Sequence, residues 1–118
     1  MKTIMIVDDS TSIRNILKNA LVGSYTVVEA GNGKEALETT AASAIDLFLL
    51  DVNMPAMDGI TLLGELRKIP AHTATPILML TTETKDELRQ KGKELGASGW
   101  IVKPCEPDKL LSATQKLM

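Results

Sequence analysis

Five short aliphatic runs alternate with helical patterns along the whole chain, and this alternation constrains the fold more than any other feature of the sequence. Most of the runs lack the regular alternation of apolar and polar residues that marks a half-exposed strand, so they are typical of strands covered on both faces. Strands that alternate with helices at such short spacing predict an α/β fold with a parallel sheet, right-handed crossovers and helices on both faces. The predicted strands are TIMIV at 3–7, YTVVEA at 25–30, DLFLL at 46–50, PILML at 76–80 and GWIVK at 99–103.

The segments between the strands carry helical periodicity and helix-terminal signals. Asn32 to Glu35 and Thr84 to Glu87 have the character of N-terminal caps, the second as a Thr-x-x-Glu capping box. Pro107 is placed to open the last helix. In the first helix, within residues 10–22, a helical period predicts one apolar face. That face consists of Ile13, Ile16, Leu17, Ala20 and Leu21.

Two segments in the second half of the chain have weaker patterns. Residues 69–76 are predicted to be a loop in which His72 is solvated and has no functional role. Residues 85–95 offer only Leu88 and Leu95 as strong apolar anchors, which predicts a loosely held fourth helix.

Composition and charge exclude several classes of protein. At 118 residues the chain is expected to be one domain, 1–118, with one hydrophobic core. The formal charge is only −2 and the basic residues form no cluster, which argues against direct binding of nucleic acid. A single cysteine excludes an internal disulfide, and no apolar run approaches the roughly 20 residues that span a bilayer. The first residues reach acids too early for a signal peptide, so we expect a cytoplasmic protein.

Polar side chains follow four of the predicted strands at the point where each strand ends. Asp8 and Asp9 follow the first strand, Asp51 follows the third, Thr81 follows the fourth, and Lys103 ends the fifth. Ligands of open parallel sheets bind beyond the carboxyl ends of the strands, where the strand order reverses. We therefore expect these residues to be neighbours in space although they are far apart in sequence.

A cluster of three carboxylates needs positive charge, because neighbouring acids otherwise raise one another's pKa. Lys103 supplies one positive charge, and the remaining excess suits Mg²⁺, a hard cation that prefers oxygen ligands. Zinc is not expected, since the cluster contains neither histidine nor cysteine. Asp51, beside a metal ion and a lysine, is placed to act as a carboxylate nucleophile toward phosphorus. Thr81 and Lys103 would then hold the phosphoryl oxygens.

Simpler interpretations exist for individual residues. Asp8 or Asp9 alone would be explained as a cap of the helix that starts near Ser10, because aspartate is a preferred N-cap residue. Trp100 alone would be explained as a core or half-buried residue of the last strand. The site hypothesis depends on the whole set of strand-end residues and not on any one of them.

Four segments, IVDDS, LLDVNMPAMDG, LMLTTE and WIVKP, together resemble the signature segments of the response-regulator receiver family. The resemblance covers essentially the whole chain and implies a flavodoxin-like, doubly wound (βα)5 fold with strand order 2-1-3-4-5. It implies that a histidine kinase phosphorylates Asp51, that Thr81 and Trp100 are switch residues, and that Lys103 binds the phosphoryl group. It also implies a Mg²⁺ ion held by Asp8, Asp9, Asp51 and the backbone carbonyl of Asn53.

Within this family the chain most resembles the single-domain, CheY-like chemotaxis regulators, through Asn53 and Glu83. That resemblance implies a monomer without an output domain, whose protein target binds the fourth helix, the fifth strand and the fifth helix. It implies no enzyme activity beyond the chain's own phosphorylation and slow dephosphorylation. A cis peptide bond between Lys103 and Pro104 is also implied.

Three residues depart from the usual pattern of the family. Trp100 occupies a position that is usually tyrosine or phenylalanine, Thr82 stands where a smaller residue is common, and Cys105 replaces a frequent phenylalanine.

Other functions remain as alternatives. A receiver of this kind can serve as a phosphate sink or shuttle in a phosphorelay. A phosphatase of the haloacid dehalogenase type also uses an aspartate, Mg²⁺, a threonine and a lysine, but it normally has a second aspartate where this chain has Asn53. A flavodoxin-like FMN carrier would use residues 10–12 as a hydroxyl-rich phosphate loop, although Asp8 and Asp9 would repel the phosphate.

Overall fold

Five parallel strands form one sheet in the order β2-β1-β3-β4-β5, which confirms the expected doubly wound (βα)5 fold. The computed structural model describes residues 1–54, 57–82, 86–103 and 106–118. The strands are β1 (Thr3–Val7), β2 (Thr26–Ala30), β3 (Leu47–Asp51), β4 (Ile77–Thr81) and β5 (Gly99–Val102). The helices are α1 (Thr11–Leu21), α2 (Gly33–Ala42), α3 (Gly59–Arg67), α4 (Asp86–Glu94) and α5 (Pro107–Leu117).

Two expectations involve residues outside this described part of the chain and stay predictions. They are the capping box that begins at Thr84 and the cis bond between Lys103 and Pro104. Cys105 also lies outside the described residues.

The interior strands β3 and β4 extend one residue beyond their predicted ends. Asp51 pairs with Leu80 of β4, and Thr81 pairs with Val102 of β5, so both polar residues still belong to the sheet. All five residues of β3 and of β4 are buried, whereas the edge strand β5 is half-buried throughout. The polar ends of β3 and β4 are therefore held by rigid, buried backbone.

Two hydrophobic clusters lie on the two faces of the sheet. Because successive side chains of a strand point to opposite faces, Ile4 and Ile6 of β1 belong to one cluster and Met5 and Val7 to the other. The helices α1 and α5 complete the first cluster, and α2 and α3 complete the second. Fully or nearly fully buried contributors from these helices are Leu17, Leu21, Leu110, Ala36, Leu62, Leu63 and Leu66.

Side-chain caps begin three of the helices. Ser10 caps α1 and accepts a hydrogen bond from the backbone N–H of Ile13, so neither Asp8 nor Asp9 has that role. Asn32 caps α2, as predicted, by accepting from the backbone N–H of Glu35. The predicted apolar face of α1 is only partly correct, because Ile16 is 55% exposed at the edge of that face.

The fourth helix is anchored differently from the sequence-based expectation. Leu88 packs against the core, but Leu95 lies beyond the helix and is exposed, so the prediction that it anchors α4 was wrong. The helix ends at Glu94, and Gly96 with φ of 98° turns the chain away. Gly92 is the buried residue of α4. This helix therefore contacts the core through a small residue and one leucine.

The loop before β4 also differs from its expectation. Pro70–His72 forms a 3-10 turn, and His72 is only 6% exposed, so the prediction of a solvated histidine was wrong. The His72 ring meets Phe48 edge to face at 5.1 Å, and Nδ1 lies 2.9 Å from Thr75 Oγ1. Arg67 holds the loop closed because Nη1 donates to the carbonyl oxygens of His72 and Thr75 at 2.8 and 2.6 Å.

We expect His72 to make the protein less stable in mild acid. Burial, and then the charge of Arg67, lowers the pKa of His72 from its ordinary value of 6.5. The unfolded chain then binds a proton that the folded chain does not, so the free energy of unfolding falls as the pH drops below about 6.5. The loss at pH 5 is at most about 2 kcal/mol.

Urea unfolding of the wild type and of His72→Gln between pH 7.5 and pH 5 tests this expectation. The variant cannot titrate at position 72, so its free energy of unfolding should change less with pH than that of the wild type. Parallel declines in the two proteins would assign the pH dependence to other groups.

Candidate functional site

The strand-end acids predicted from the sequence meet at one edge of the sheet. Asp8 follows β1 and Asp51 ends β3, and these two strands are neighbours at the point where the strand order reverses. One carboxylate oxygen from each of Asp8, Asp9 and Asp51 lies within 4.8 Å of the others. Asp8 and Asp51 are buried, whereas Asp9 is exposed. The cluster therefore has a buried base and one acid at its mouth.

Lys103 joins the two buried acids. Its Nζ donates to Asp8 Oδ2 at 3.0 Å and to Asp51 Oδ1 at 3.1 Å. The backbone places it there, because the N–H of Lys103 donates to the carbonyl oxygen of Thr81 at 2.8 Å beyond the end of β5. When all groups are ionised, Lys103 neutralises one of the three carboxylate charges. The cluster therefore keeps a net charge of −2.

Burial and charge shift the proton affinities of this cluster. Burial raises the pKa of Asp51, the hydrogen bond from Lys103 lowers it, and the charge of Asp8 raises it, so the pKa is raised overall. Burial by itself would lower the pKa of Lys103, but hydrogen bonds to Asp8 and Asp51 outweigh burial and raise it. Lys103 therefore stays an ammonium at neutral pH. A further positive charge nearby would stabilise the ionised carboxylate of Asp51.

The LLDVNMPAMDG segment brings the start of α3 against the backbone of Asp51. Asp58 caps α3 by accepting from the backbone N–H of Thr61 at 2.8 Å. The N–H of Gly59 donates to the carbonyl oxygen of Val52 at 3.0 Å, and a Cβ at Gly59 would collide with the Asp51 carbonyl oxygen. Glycine is therefore required at position 59 by close approach to Asp51. Met54 and Met57 of the same segment pack on the core.

Asn53 connects the acid cluster to Thr81. Its backbone N–H donates to Asp51 Oδ1 at 3.2 Å, and its Nδ2 donates to Thr81 Oγ1 at 3.3 Å. Thr81 is fully buried, whereas Asn53 is exposed. The side-chain contact with Thr81 was not predicted from the sequence, and the proposed role of the Asn53 carbonyl as a metal ligand stays a prediction.

Trp100 lies on β5 and packs partly buried against the core. Its ring lies against Gly92 of α4, where a built Cβ would come within 2.8 Å of Trp100 Cζ3. The indole Nε1 is buried and has no hydrogen-bond partner among the residues described. The sequence signal for this contact was a glycine inside a helical pattern, because glycine lowers helix stability and its presence in a helix interior is typical of close packing.

Arg14 also contacts the site, and its position there was not predicted from the sequence. Its Nη1 donates to the backbone carbonyl oxygen of Asp8, and its Nε pairs with Glu29 of β2. No sequence signal identifies it, since an arginine on the first helix is equally typical of a solvated position.

The acid cluster fits a hard divalent cation. All candidate ligands are oxygen atoms, and the residual negative charge matches one divalent ion.

Within the described ranges, no helix is long and apolar enough to cross a membrane.

Known proteins share this fold and this sequence pattern. The family model for the response regulator receiver domain matches residues 4–115. The chain is 40% identical over 116 residues to the transcriptional regulatory protein SrrA of Staphylococcus aureus, covering 98% of the chain but only 47% of SrrA. It therefore spans about half the length of that curated relative.

Solved structures match over the full chain. The chemotaxis protein CheY4 of Vibrio cholerae is 42% identical with a TM-score of 0.97, covering 100% of this chain and 99% of CheY4. A CheY-like receiver domain protein of Methanospirillum hungatei is 30% identical with a TM-score of 0.92, covering 98% of this chain and 92% of that one. By sequence, by fold and by the arrangement of its strand-end residues, the chain belongs to the response regulator receiver domain family.

Proposed function

We propose that this chain accepts a phosphoryl group from a histidine kinase on Asp51 and thereby changes its affinity for a protein target. The observation that carries the proposal is the position of Lys103, whose Nζ bonds to both Asp8 and Asp51 in the cluster of three carboxylates. An acid held beside an ammonium at a sheet edge is suited to receive a phosphoryl group, because the ammonium offsets charge on the phosphoryl oxygens.

In the transfer, an oxygen of Asp51 forms a bond to phosphorus while the bond from phosphorus to the donor nitrogen breaks. The donor imidazole keeps that electron pair, and Lys103 and Thr81 bind the phosphoryl oxygens. We propose Mg²⁺ as the ion held by Asp8, Asp9, Asp51 and the Asn53 carbonyl. When bound, it supplies positive charge to the oxygens that gain charge in the transfer.

Two observations favour this proposal over the alternative activities. Asn53 cannot act as the second acid of a haloacid dehalogenase-type phosphatase, and its amide donates to Thr81. The backbone N–H of Ser10, which a phosphate loop of an FMN carrier would need, donates to Asp8 Oδ1 at 2.9 Å. We therefore propose no enzyme activity beyond the chain's own phosphorylation and slow dephosphorylation.

We propose chemotaxis or motility signalling as the pathway, supported by the full-length match to CheY4. The match to SrrA, a transcriptional regulator, and a role as phosphate sink or shuttle are the alternatives. We propose that the target protein binds the face formed by α4, β5 and α5. We propose that the chain is a cytoplasmic monomer that neither binds nucleic acid directly nor inserts into a membrane. Analytical ultracentrifugation with and without a phosphoryl mimic tests the monomeric state.

We propose that Thr81 and Trp100 transmit phosphorylation to this target face. Thr81 pairs with Val102 of β5, and Trp100 lies two residues before Val102 on the same face of the sheet. When Thr81 shifts toward the phosphoryl oxygens, it vacates space beside β5. The Trp100 ring can then turn into that space. Trp100 emission during titration with beryllium fluoride, a phosphoryl mimic, tests this coupling, and bound mimic without a change in emission would refute it.

Phosphorylation at a single position is the central test of the proposed function. With radiolabelled acetyl phosphate and Mg²⁺, we expect one label per chain in the wild type and none in Asp51→Asn, since an amide is not a nucleophile toward phosphorus. The label should be base-labile and should not form when EDTA is present from the start of the reaction. Equal labelling of Asp51→Asn would contradict the assignment of the phosphorylation site.

A further inference from the structure

Arg14 of α1 joins the backbone of the acid cluster to strand β2. Its Nη1 donates to the carbonyl oxygen of Asp8 at 2.5 Å, and its Nη2 donates to Thr11 Oγ1 at 3.2 Å. Its Nε lies 3.4 Å from Glu29 Oε1. The Arg14 side chain is only 17% exposed, so these contacts hold the guanidinium in one place.

The contact with Asp8 has consequences for Asp9. The Asp8 carbonyl belongs to the planar peptide unit that leads into Asp9, so fixing its oxygen also fixes the direction of the Asp9 backbone. Asp8 itself is held by further bonds, because its N–H donates to the Ala30 carbonyl oxygen at 3.2 Å and its Oδ1 accepts from Ser10. The exposed Asp9 depends more on the orientation of its backbone.

We propose that Arg14 is a positioning residue for the metal-binding acids. Its guanidinium, anchored by Glu29, holds the peptide between Asp8 and Asp9 so that their carboxylates keep the spacing that the ion requires. This inference rests on the proposed Mg²⁺ site. It also assigns a function to Glu29 of β2, a strand that contributes no side chain to the acid cluster itself.

The geometry of the ligands can be separated experimentally from their charge. Mg²⁺ demands near-ideal octahedral geometry, whereas Ca²⁺ accepts flexible and irregular sets of oxygen ligands. Misplaced carboxylates therefore weaken Mg²⁺ binding more than Ca²⁺ binding. A change in nearby positive charge shifts the affinities for both divalent ions in the same direction and by similar factors.

Arg14→Lys is the informative variant, because it keeps the charge. One ammonium cannot maintain the separate contacts that the three guanidinium nitrogens make with Asp8, Thr11 and Glu29. Lys18→Met is the matched control. Lys18 also pairs with Glu29, through Oε2 at 3.5 Å, so this change removes a charge while leaving the contact between Arg14 and Asp8 in place.

Calorimetric titration with MgCl₂ and with CaCl₂ measures both affinities in each protein. We expect Arg14→Lys to weaken Mg²⁺ binding by about tenfold, as for other residues that orient metal ligands, and to weaken Ca²⁺ binding by less than about twofold. Lys18→Met should change both affinities by the same factor. An unchanged ratio of Mg²⁺ to Ca²⁺ affinity in Arg14→Lys would overturn the inference.

Two further proteins keep the result interpretable. Glu29→Gln removes the charge that anchors Arg14 without altering Arg14 itself, and it should also lower the ratio of Mg²⁺ to Ca²⁺ affinity. It replaces Arg14→Lys if melting by circular dichroism shows that Arg14→Lys is unfolded. An unchanged ratio in Glu29→Gln then overturns the inference in the same way. Asp51→Asn should weaken Mg²⁺ binding directly. Wild-type Mg²⁺ binding that Asp51→Asn does not alter would overturn the proposed metal site itself, and the inference with it.

Discussion

Replacing Lys103 with methionine is expected to destabilise the fold by about 3 kcal/mol at pH 7.5 in metal-free buffer. The change leaves Asp8 and Asp51, which are 1% and 3% exposed, as buried carboxylates without their shared ammonium. Removing one partner of a buried ion pair costs far more than a surface pair contributes, because the remaining charge stays desolvated. Under the proposed function, phosphorylation of Asp51 should fall by at least about 100-fold, because the variant has no ammonium at position 103 to bind the phosphoryl oxygens.

The pH dependence of this loss has a defined sign. Burial already raises the pKa of Asp51, and loss of the Lys103 hydrogen bond raises it further. A folded-state pKa above the unfolded value means that the folded protein takes up protons first as the pH falls, so the destabilisation should be smaller at pH 5 than at pH 7.5. Adding Mg²⁺ at pH 7.5 should also restore part of the lost stability, because an ion bound at the proposed site would offset the charge of the same carboxylates.

Lys68→Met is the matched control for this prediction. Lys68 also pairs with an acid, Glu65 at 3.2 Å, but their side chains are 74% and 43% exposed. Loss of such a surface pair should change the free energy of unfolding by less than about 0.5 kcal/mol. If chemical denaturation shows Lys103→Met to be no more costly than Lys68→Met, the acid cluster does not depend on Lys103 for its charge balance.

Replacing Gly92 with alanine is expected to separate stability from switching at α4. An alanine inside a helix normally stabilises it by about 1 kcal/mol relative to glycine. At Gly92, however, the new Cβ would lie 2.8 Å from Trp100 Cζ3, so the ring or the helix has to move. Overpacking of this kind costs about 1 to 3 kcal/mol, and we therefore expect net destabilisation.

The optical response of Trp100 should change as well. Because Trp100 is the single tryptophan of the chain, its emission reports the position of this ring directly. Gly92→Ala should shift the emission maximum before any phosphoryl mimic is added, and it should reduce the further change caused by beryllium fluoride. An emission spectrum and a beryllium fluoride response identical to those of the wild type would contradict the proposed contact between α4 and the switch.

Gly64→Ala provides the control for the helix propensity of alanine. Gly64 lies inside α3, and a Cβ built there meets nothing within 4 Å. This variant should be more stable than the wild type by about 1 kcal/mol. It should leave Trp100 emission unchanged. The opposite signs of the two glycine substitutions would then isolate the steric contact with Trp100 from the intrinsic preference of the helix.

The sequence by itself determined the architecture and the membership of the acid cluster. Aliphatic runs of strand length, separated by amphipathic segments, are compatible with few folds other than a parallel sheet covered by helices. In such a sheet the residue at the carboxyl end of each strand lies at a common edge, whatever the details of the packing. Asp8, Asp9, Asp51, Thr81 and Lys103 were therefore predictable as a group from local patterns alone.

Other contacts were decided only by the tertiary structure. Exposure of Ile16 and burial of His72 depend on which neighbours cover each position, and local periodicity does not contain that information. The contact between Gly92 and Trp100 depends on the depth at which α4 sits on the sheet.

The position of Arg14 shows the same limit at the site itself. Its contacts with Asp8 and Glu29 join the first helix, the end of β1 and the middle of β2. A side chain this long reaches any of several partners from its helix, and the choice among them follows from the packing angle of α1 on the sheet. Patterns within single segments specify which residues reach the sheet edge, whereas the packing between segments decides what holds them in place.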